Sequence, residues 1–312
     1  MRMPLLRPFE DCRAYRVALL QCPSFLFIVF GGITIVAMVA THLVASRFTE
    51  EPQVATLIVI GVTVLLLLVG QAIVNSFRRL AEAGLAKSEF VSVASHQLRT
   101  PLSSIKWASA LMAEKEGGAR HREEYAGIIR DNTERMIRLV NDLLDVSRIE
   151  SGTLALKKEA VDIAALTDEV IARLKSFADA SNVALKFQRP SALPLAVGEG
   201  QRLKSVLAHL VDNAIRYTGS KGAVTVTIGR EQGGALRWSV RDRGVGIGPE
   251  DQKRVFEKFF RARNALQHQT VGSGLGLFVA KAVIELLGGA MGFKSEEGKG
   301  STFWFTLPMA KT

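Results

Sequence analysis

Residues 125–146 read YAGIIRDNTERMIRLVNDLLDV, and within them Tyr125, Ile129, Asn132, Met136, Leu139, Leu143 and Val146 recur at alternating spacings of four and three. That rhythm lays a single stripe along a helix in heptad fashion. The stretch before it repeats the pattern with Ala94, Leu98, Pro101, Ile105, Ala108 and Met112, inside a helix-favouring segment from Ser76 to about Met112. Glu116, Gly117 and Gly118 separate the two runs. A helical hairpin striped in this way cannot bury its apolar edge alone. Pairing two copies into a four-helix bundle solves the problem, so a homodimer is expected.

Upstream of the hairpin the chain changes character. No Asp, Glu, Lys or Arg occurs between Arg16 and Arg47, and the stretches from about Ser24 to Val44 and from about Val54 to Val74 are each long and apolar enough to span a bilayer as a helix. About nine residues join them, which suffices for a tight turn and for no external sensor domain. Arg2, Arg7, Arg13 and Arg16 precede the first span and Arg78, Arg79 and Lys87 follow the second, while the turn sets Arg47 against Glu50 and Glu51. The distribution of basic residues predicts a multi-pass protein of the inner (cytoplasmic) membrane with both termini cytoplasmic. A cleaved signal peptide fits less well, because the apolar run exceeds a typical signal core and no small-x-small cleavage site follows.

Beyond Ser151 and Gly152 the pattern becomes mixed. Val183 to Gln188, Ala223 to Gly229 and Leu236 to Arg241 read as strands, and Ile163 to Ala180 and Gln201 to Tyr217 read as helices. Antiparallel strand clusters with grouped helices predict helices over one face of a mixed sheet, an α/β sandwich. The expected fold class is therefore α+β. Its parts are an N-terminal segment (1–23), two transmembrane helices (24–75), a linker helix (76–86), a dimeric helical hairpin (87–152) and the sandwich domain (153–312).

The 312-residue chain has a net charge of +10, but its basic residues are scattered without a dense stripe or interleaved aromatics, so nucleic acid is not expected as a partner. A basic face near anionic lipid and phosphate accounts for the charge. Cys12 and Cys22 match neither a metal nor a redox spacing and read as free thiols.

Six segments in order carry the chemistry. They are Ser95-His96-Gln97-Leu98-Arg99-Thr100-Pro101-Leu102, Asp212-Asn213-Ala214-Ile215-Arg216-Tyr217-Thr218, Asp242-Arg243-Gly244-Val245-Gly246-Ile247, Phe256-Glu257-Lys258-Phe259-Phe260, Gly272-Ser273-Gly274-Leu275-Gly276-Leu277 and Gly298-Lys299-Gly300-Ser301-Thr302-Phe303. Over roughly residues 80 to 310 this series resembles the two-component sensor histidine kinases. The resemblance implies a dimerisation and histidine phosphotransfer domain at 87–152 and a catalytic ATP-binding domain at 153–312. It further implies ATP and Mg²⁺ as cofactors, and a response regulator receiver domain as the partner that accepts the phosphoryl group on an aspartate.

A neutral imidazole offers a lone pair to electrophilic phosphorus, which makes His96 the nucleophile. The family normally places Glu or Asp next; here Gln97 stands there, an amide that can orient the ring but cannot act as a base at neutral pH. Thr100 matches the position associated with dephosphorylation of the partner. Asn213 has the oxygen that suits Mg²⁺ bridging ATP phosphates, although His209 replaces an Asn common at the start of that motif. Arg216 and Tyr217 would lie along the phosphates and the base. Asp242, ending a strand that alternates Leu236, Trp238 and Val240, can accept a hydrogen bond from the adenine amino group. Gly244 and Gly246 admit close approach of the backbone, and Gly272, Gly274, Leu275 and Gly276 open a helix whose free N–H groups can hold phosphate. Glycines alone are compatible with a dinucleotide fold, but this run does not follow a strand inside a β-α-β unit. Arg261 to Val271 resembles a mobile lid, with Arg261 or Arg263 able to stabilise transferring charge. Phe256, Phe259 and Phe260 are expected as core beneath it.

Two other readings stand beside this one. One is a different ATPase of the same superfamily, which includes heat-shock chaperones, topoisomerases and mismatch-repair proteins; the His96 segment and the hairpin argue against it. The other is a phosphatase-biased or pseudokinase membrane scaffold that binds ATP and a response regulator, supported by Gln97.

Overall fold

The computed structural model describes residues 22–48, 51–113, 119–219, 221–231, 234–263 and 272–310. It forms two compact units, Met1–His96 and Gln97–Thr312. In the first unit, α1 (Pro23–Phe48) and the early part of α2 (Pro52–Ala113) are long and apolar enough to cross a membrane. Phe27, Val36, Leu57 and Leu68 on these helices are largely exposed. Burying such side chains is worth about 1.5–3 kcal/mol each, so this surface favours an apolar surrounding. Cys22, expected as a free thiol, is disulfide-bonded; the other cysteine, Cys12, lies outside the described residues, as do Arg2, Arg7, Arg13 and Arg16.

Helix α2 runs on through Pro101 to Ala113. The expected break at Glu116 to Gly118 lies outside the described residues, and α3 (Ala119–Glu150) carries the second striped run. Leu139 and Val146 of that stripe are buried, whereas Ile137, Val140 and Leu144 stay exposed. Edge-on packing of Trp107 against Tyr125, with ring centroids 6.0 Å apart, joins α2 to α3.

The C-terminal sandwich follows, with β1 (Glu159–Val161), α4 (Ile163–Ala180), β2 (Ala184–Gln188), β3 (Ala196–Gly198), α5 (Gly200–Tyr217), β4 (Ala223–Glu231) and β5 (Ala235–Arg241). A short α6 (Pro249–Gln252), then α7 (Gly276–Leu286), β6 (Ala290–Glu296) and β7 (Gly300–Pro308) complete it. Strands β2-β4-β5-β7-β6 form a five-stranded mixed sheet in which only β2–β4 is parallel. The small β1–β3 pair has strands of three residues each, too short to show alternation in the sequence.

Asp162 starts α4 by accepting from the backbone N–H of Ala164 (2.9 Å) and Ala165 (3.0 Å). Helix α5 buries Leu203, Val206, Leu207, Leu210, Val211, Ala214 and Ile215 at spacings that keep one face on β4 and β5, between α4 and α7. Beneath it Leu236, Trp238 and Val240 of β5 point inward, as their alternation predicts. Trp238 stacks on Phe305 at 5.2 Å and donates its indole N–H to Thr167 Oγ1 of α4 at 3.1 Å, so its one polar atom is satisfied inside the core.

Candidate active site

A cavity of about 260 Å³ opens within the second unit, where the polar side of α5 faces the loop after β5 and the loop before α7. Its position follows from α5 itself: the helix has one face in the core, and His209, Asp212, Asn213, Arg216 and Tyr217 turn toward the cavity.

At one end stands Asp242, buried just past β5. Burial pushes its carboxyl pKa up, against the pull of the backbone N–H groups of Gly244 and Ser301, which donate to Oδ1 at 2.9 and 3.1 Å. Both amides use the same oxygen, which fixes the carboxylate and leaves Oδ2 to accept from a ligand amino group.

At the other end lies the loop Gly272 to Gly276. Gly274 has φ +69°, and a Cβ there would lie 2.7 Å from the Phe259 carbonyl carbon, so only glycine lets the two chain segments meet. Helix α7 begins without a side-chain cap on its N-cap residue Leu275. Ser273 Oγ takes the Leu275 N–H at 3.3 Å, and the following turn presents N–H groups suited to an anion. Gly276 lies against His209; a Cβ there would come within 2.1 Å of the imidazole.

Burial lowers the His209 pKa and favours a neutral ring. Its Nε2 is 2.9 Å from Asn213 Nδ2. A neutral ring with its proton on Nδ1 accepts from that amide, leaving Asn213 Oδ1, the oxygen a hard cation prefers, for another partner. His209 is thus accommodated in place of the common Asn by bonding to the very residue expected to hold the metal. Arg216 pairs with Asp212 at 2.5 Å, one helical turn away, and lies over the Phe177 ring at 4.9 Å.

The hairpin also reaches the cavity. Gln97 Nε2 donates to the Ser273 carbonyl at 3.3 Å, and Ser273 Oγ donates to Asp142 Oδ2 at 3.2 Å. Burial raises the Asp142 pKa to about 6, against the pull of Ser273. Further along α3, Asp145 pairs with Arg202 at 2.5 Å, Glu150 pairs with Lys258, and Ile149 packs on the sandwich core.

Of the residues picked from the sequence, Gln97, Asn213, Arg216, Tyr217, Asp242, Gly246, Gly272, Gly274 and Gly276 line this cavity. Gly244 and Leu275 serve through their backbone N–H groups instead. Thr100 is exposed on α2 and does not line the cavity; His96 is exposed on the same helix and belongs to the other unit. Of the two lid arginines, Arg261 lines the cavity, whereas Arg263 pairs with Glu250 at 3.1 Å; residues 264–271 of the expected lid lie outside the described residues. Phe256 packs on the core as expected, but Phe260 lines the cavity under the Arg254 guanidinium.

Sequence reasoning passed over Arg135, Arg138 and Asp142, which line the same cavity. The signal was there: positions 135, 138, 142 and 145 repeat the three-four spacing of the apolar stripe one residue to its side. A charged stripe beside an apolar one reads as solvated surface until the opposing domain is known.

Residues 86–152 match the His Kinase A phospho-acceptor domain, and residues 198–311 match the histidine kinase-, DNA gyrase B- and HSP90-like ATPase domain. With the hairpin, the mixed sandwich and the cavity of α5, these matches show that the chain belongs to the sensor histidine kinases. Among its relatives, the sensor histidine kinase GacS of Pseudomonas protegens is 35% identical over 235 residues, covering 74% of this chain and 26% of that protein. The circadian input-output histidine kinase CikA of Synechococcus elongatus is 31% identical, covering 76% of this chain and 32% of that one. The crystal structure of full-length ShkA in complex with AMPPNP is similar with a TM-score of 0.54 at 30% identity, covering 72% of this chain and 46% of that chain. The chain spans about a quarter to a third of the length of the two curated relatives named.

Proposed function

We propose that this chain is a membrane-bound sensor histidine kinase that phosphorylates His96 from Mg-ATP and passes the phosphoryl group to an aspartate in the receiver domain of a response regulator. The observation that carries this reading is the make-up of the cavity. Residues of the ATPase sandwich and of the phospho-acceptor hairpin line it together, with an adenine-type acceptor, Asp242, and a glycine loop at a helix start. The proposed organisation keeps the divisions read from the sequence, with the membrane hairpin at 24–75, the phosphotransfer domain at 87–152 and the catalytic domain at 153–312. The two apolar helices support an inner-membrane location with both termini cytoplasmic.

Asp242 selects adenine, the Gly272–Gly276 loop and the first turn of α7 hold phosphate oxygens, and Arg216 and Arg261 offset their charge. The donor set fits a hard divalent cation: Asn213 Oδ1, left over from the His209 bond, would hold Mg²⁺, which supplies charge neutralisation on the phosphates. In the transfer a nitrogen of His96 forms a bond to the γ-phosphorus as the bond to the ADP oxygen breaks, and the imidazole loses its proton. Because Gln97 cannot take that proton, it passes to water or another base, and the expected consequence is a slower rate. The ring then yields the phosphoryl group to the regulator's carboxylate.

Incubating the chain with γ-labelled ATP and Mg²⁺ tests the proposal. The expected label is acid-labile, alkali-stable and absent from His96→Asn. ATP binding without label, even after long incubation, would turn the reading to the phosphatase-biased scaffold that Gln97 favours.

A further inference from the structure

Four arginines line the cavity: Arg216 and Arg261 from the sandwich, and Arg135 and Arg138 from α3 of the hairpin. Three carboxylates share the lining, and each is already engaged. Asp212 is paired with Arg216, Asp242 with two backbone amides, and Asp142 with the Ser273 hydroxyl. Arg138 pairs at the surface with Glu134 at 3.6 Å, and its charge also draws down the pKa of Asp142 one turn further along. Arg135 is half-buried; burial lowers its pKa, and the like charges of Arg261, Arg138 and Arg216 lower it further. Like-charged guanidinium groups gathered in a partly dry cavity repel one another until an anion enters.

The location of these arginines identifies the anion. Asp142 meets Ser273 in the glycine loop, whose Gly276 lies against His209, about two helical turns before Tyr217, the α5 residue that Gly244 beside Asp242 lies against. Arg138 precedes Asp142 by four residues and Arg135 precedes it by seven, so all three share one face of α3. That face therefore meets the cavity at its phosphate end. Guanidinium groups bind phosphate oxygens with two parallel hydrogen bonds, which suits a terminal phosphate.

We propose that Arg135 and Arg138 complete a terminal-phosphate subsite, so that preference for a nucleoside triphosphate over the diphosphate comes from the phospho-acceptor hairpin and not from the ATPase domain alone. This rests on the Mg-ATP reading above. Loss of the γ-phosphate removes the anion that holds the hairpin arginines in the cavity, so the product releases the hairpin.

The test is calorimetric titration of the full-length chain in detergent with Mg-AMPPNP, Mg-ADP and adenosine. Wild type should bind AMPPNP more tightly than ADP. Arg135→Gln should weaken AMPPNP at least about tenfold, the scale of one charged hydrogen bond, with ADP within about twofold and adenosine unchanged. Arg135→Lys should fall between, since it keeps the charge and loses the fork. Arg138→Gln, at an exposed position, should weaken AMPPNP selectively, and it decides the matter if Arg135→Gln does not fold. Equal losses for AMPPNP and ADP, or none, would overturn the subsite while leaving the kinase reading intact. Wild-type protein that binds neither nucleotide would overturn that reading as well.

Discussion

Asp242 offers one oxygen to two backbone amides and keeps the other for a ligand, so its charge and its position act together. Asp242→Asn preserves the shape but can no longer accept through both oxygens. ATP affinity should fall about 10- to 100-fold, with discrimination against GTP reduced, as measured by competition binding. Asp142 makes a different prediction. Its pKa is about 6 in the folded protein against an ordinary 3.8, so the folded state holds the proton more tightly. The stabilisation from that proton is complete below about pH 4 and is lost as pH rises through about 6. Asp142→Asn should therefore raise the melting temperature at pH 7.5 by a few degrees, on the order of 1–2 kcal/mol, with the gain vanishing near pH 4. Thermal scans across that range read the difference directly.

At the scale of elements, helix α4 depends on its first turn. Asp162→Ala removes both hydrogen bonds to Ala164 and Ala165 and should destabilise the sandwich by about 1 kcal/mol in urea titration. Much of this architecture was legible beforehand. The bounds Ile163 to Ala180 and the strand near Leu236 to Arg241 follow from period, because in both elements the buried positions recur on one face. The β1–β3 pair was not legible, since three residues carry no period. Among the cavity residues, Asn213, Asp242 and the glycine loop stood out because their motif is local. Asp142 did not, because the Ser273 hydroxyl it meets lies 131 residues away, and Arg135 did not, because only the folded chain brings it to the cavity that the sandwich residues line.

At the scale of the whole molecule, the exposed Ile137, Val140 and Leu144 of α3 lie one residue beside the heptad stripe and widen the apolar face that a second copy would cover. Leu144→Glu should shift the purified chain from dimer toward monomer in light scattering, and with it lower labelling if the acceptor and nucleotide belong to different chains. Deletion of residues 23–75 should move the protein from the membrane pellet to the supernatant on cell fractionation. The chain's three tryptophans are distributed in a useful way. Trp238 is sealed in the sandwich beside Thr167, while Trp107 stands 57% exposed on the hairpin. Trp304 is half-buried under the Arg237 guanidinium, so once Trp304→Phe has removed it iodide quenches Trp107 and spares Trp238, and one fluorescence cuvette can follow the hairpin finding its mate by the first and the melting of the sandwich by the second.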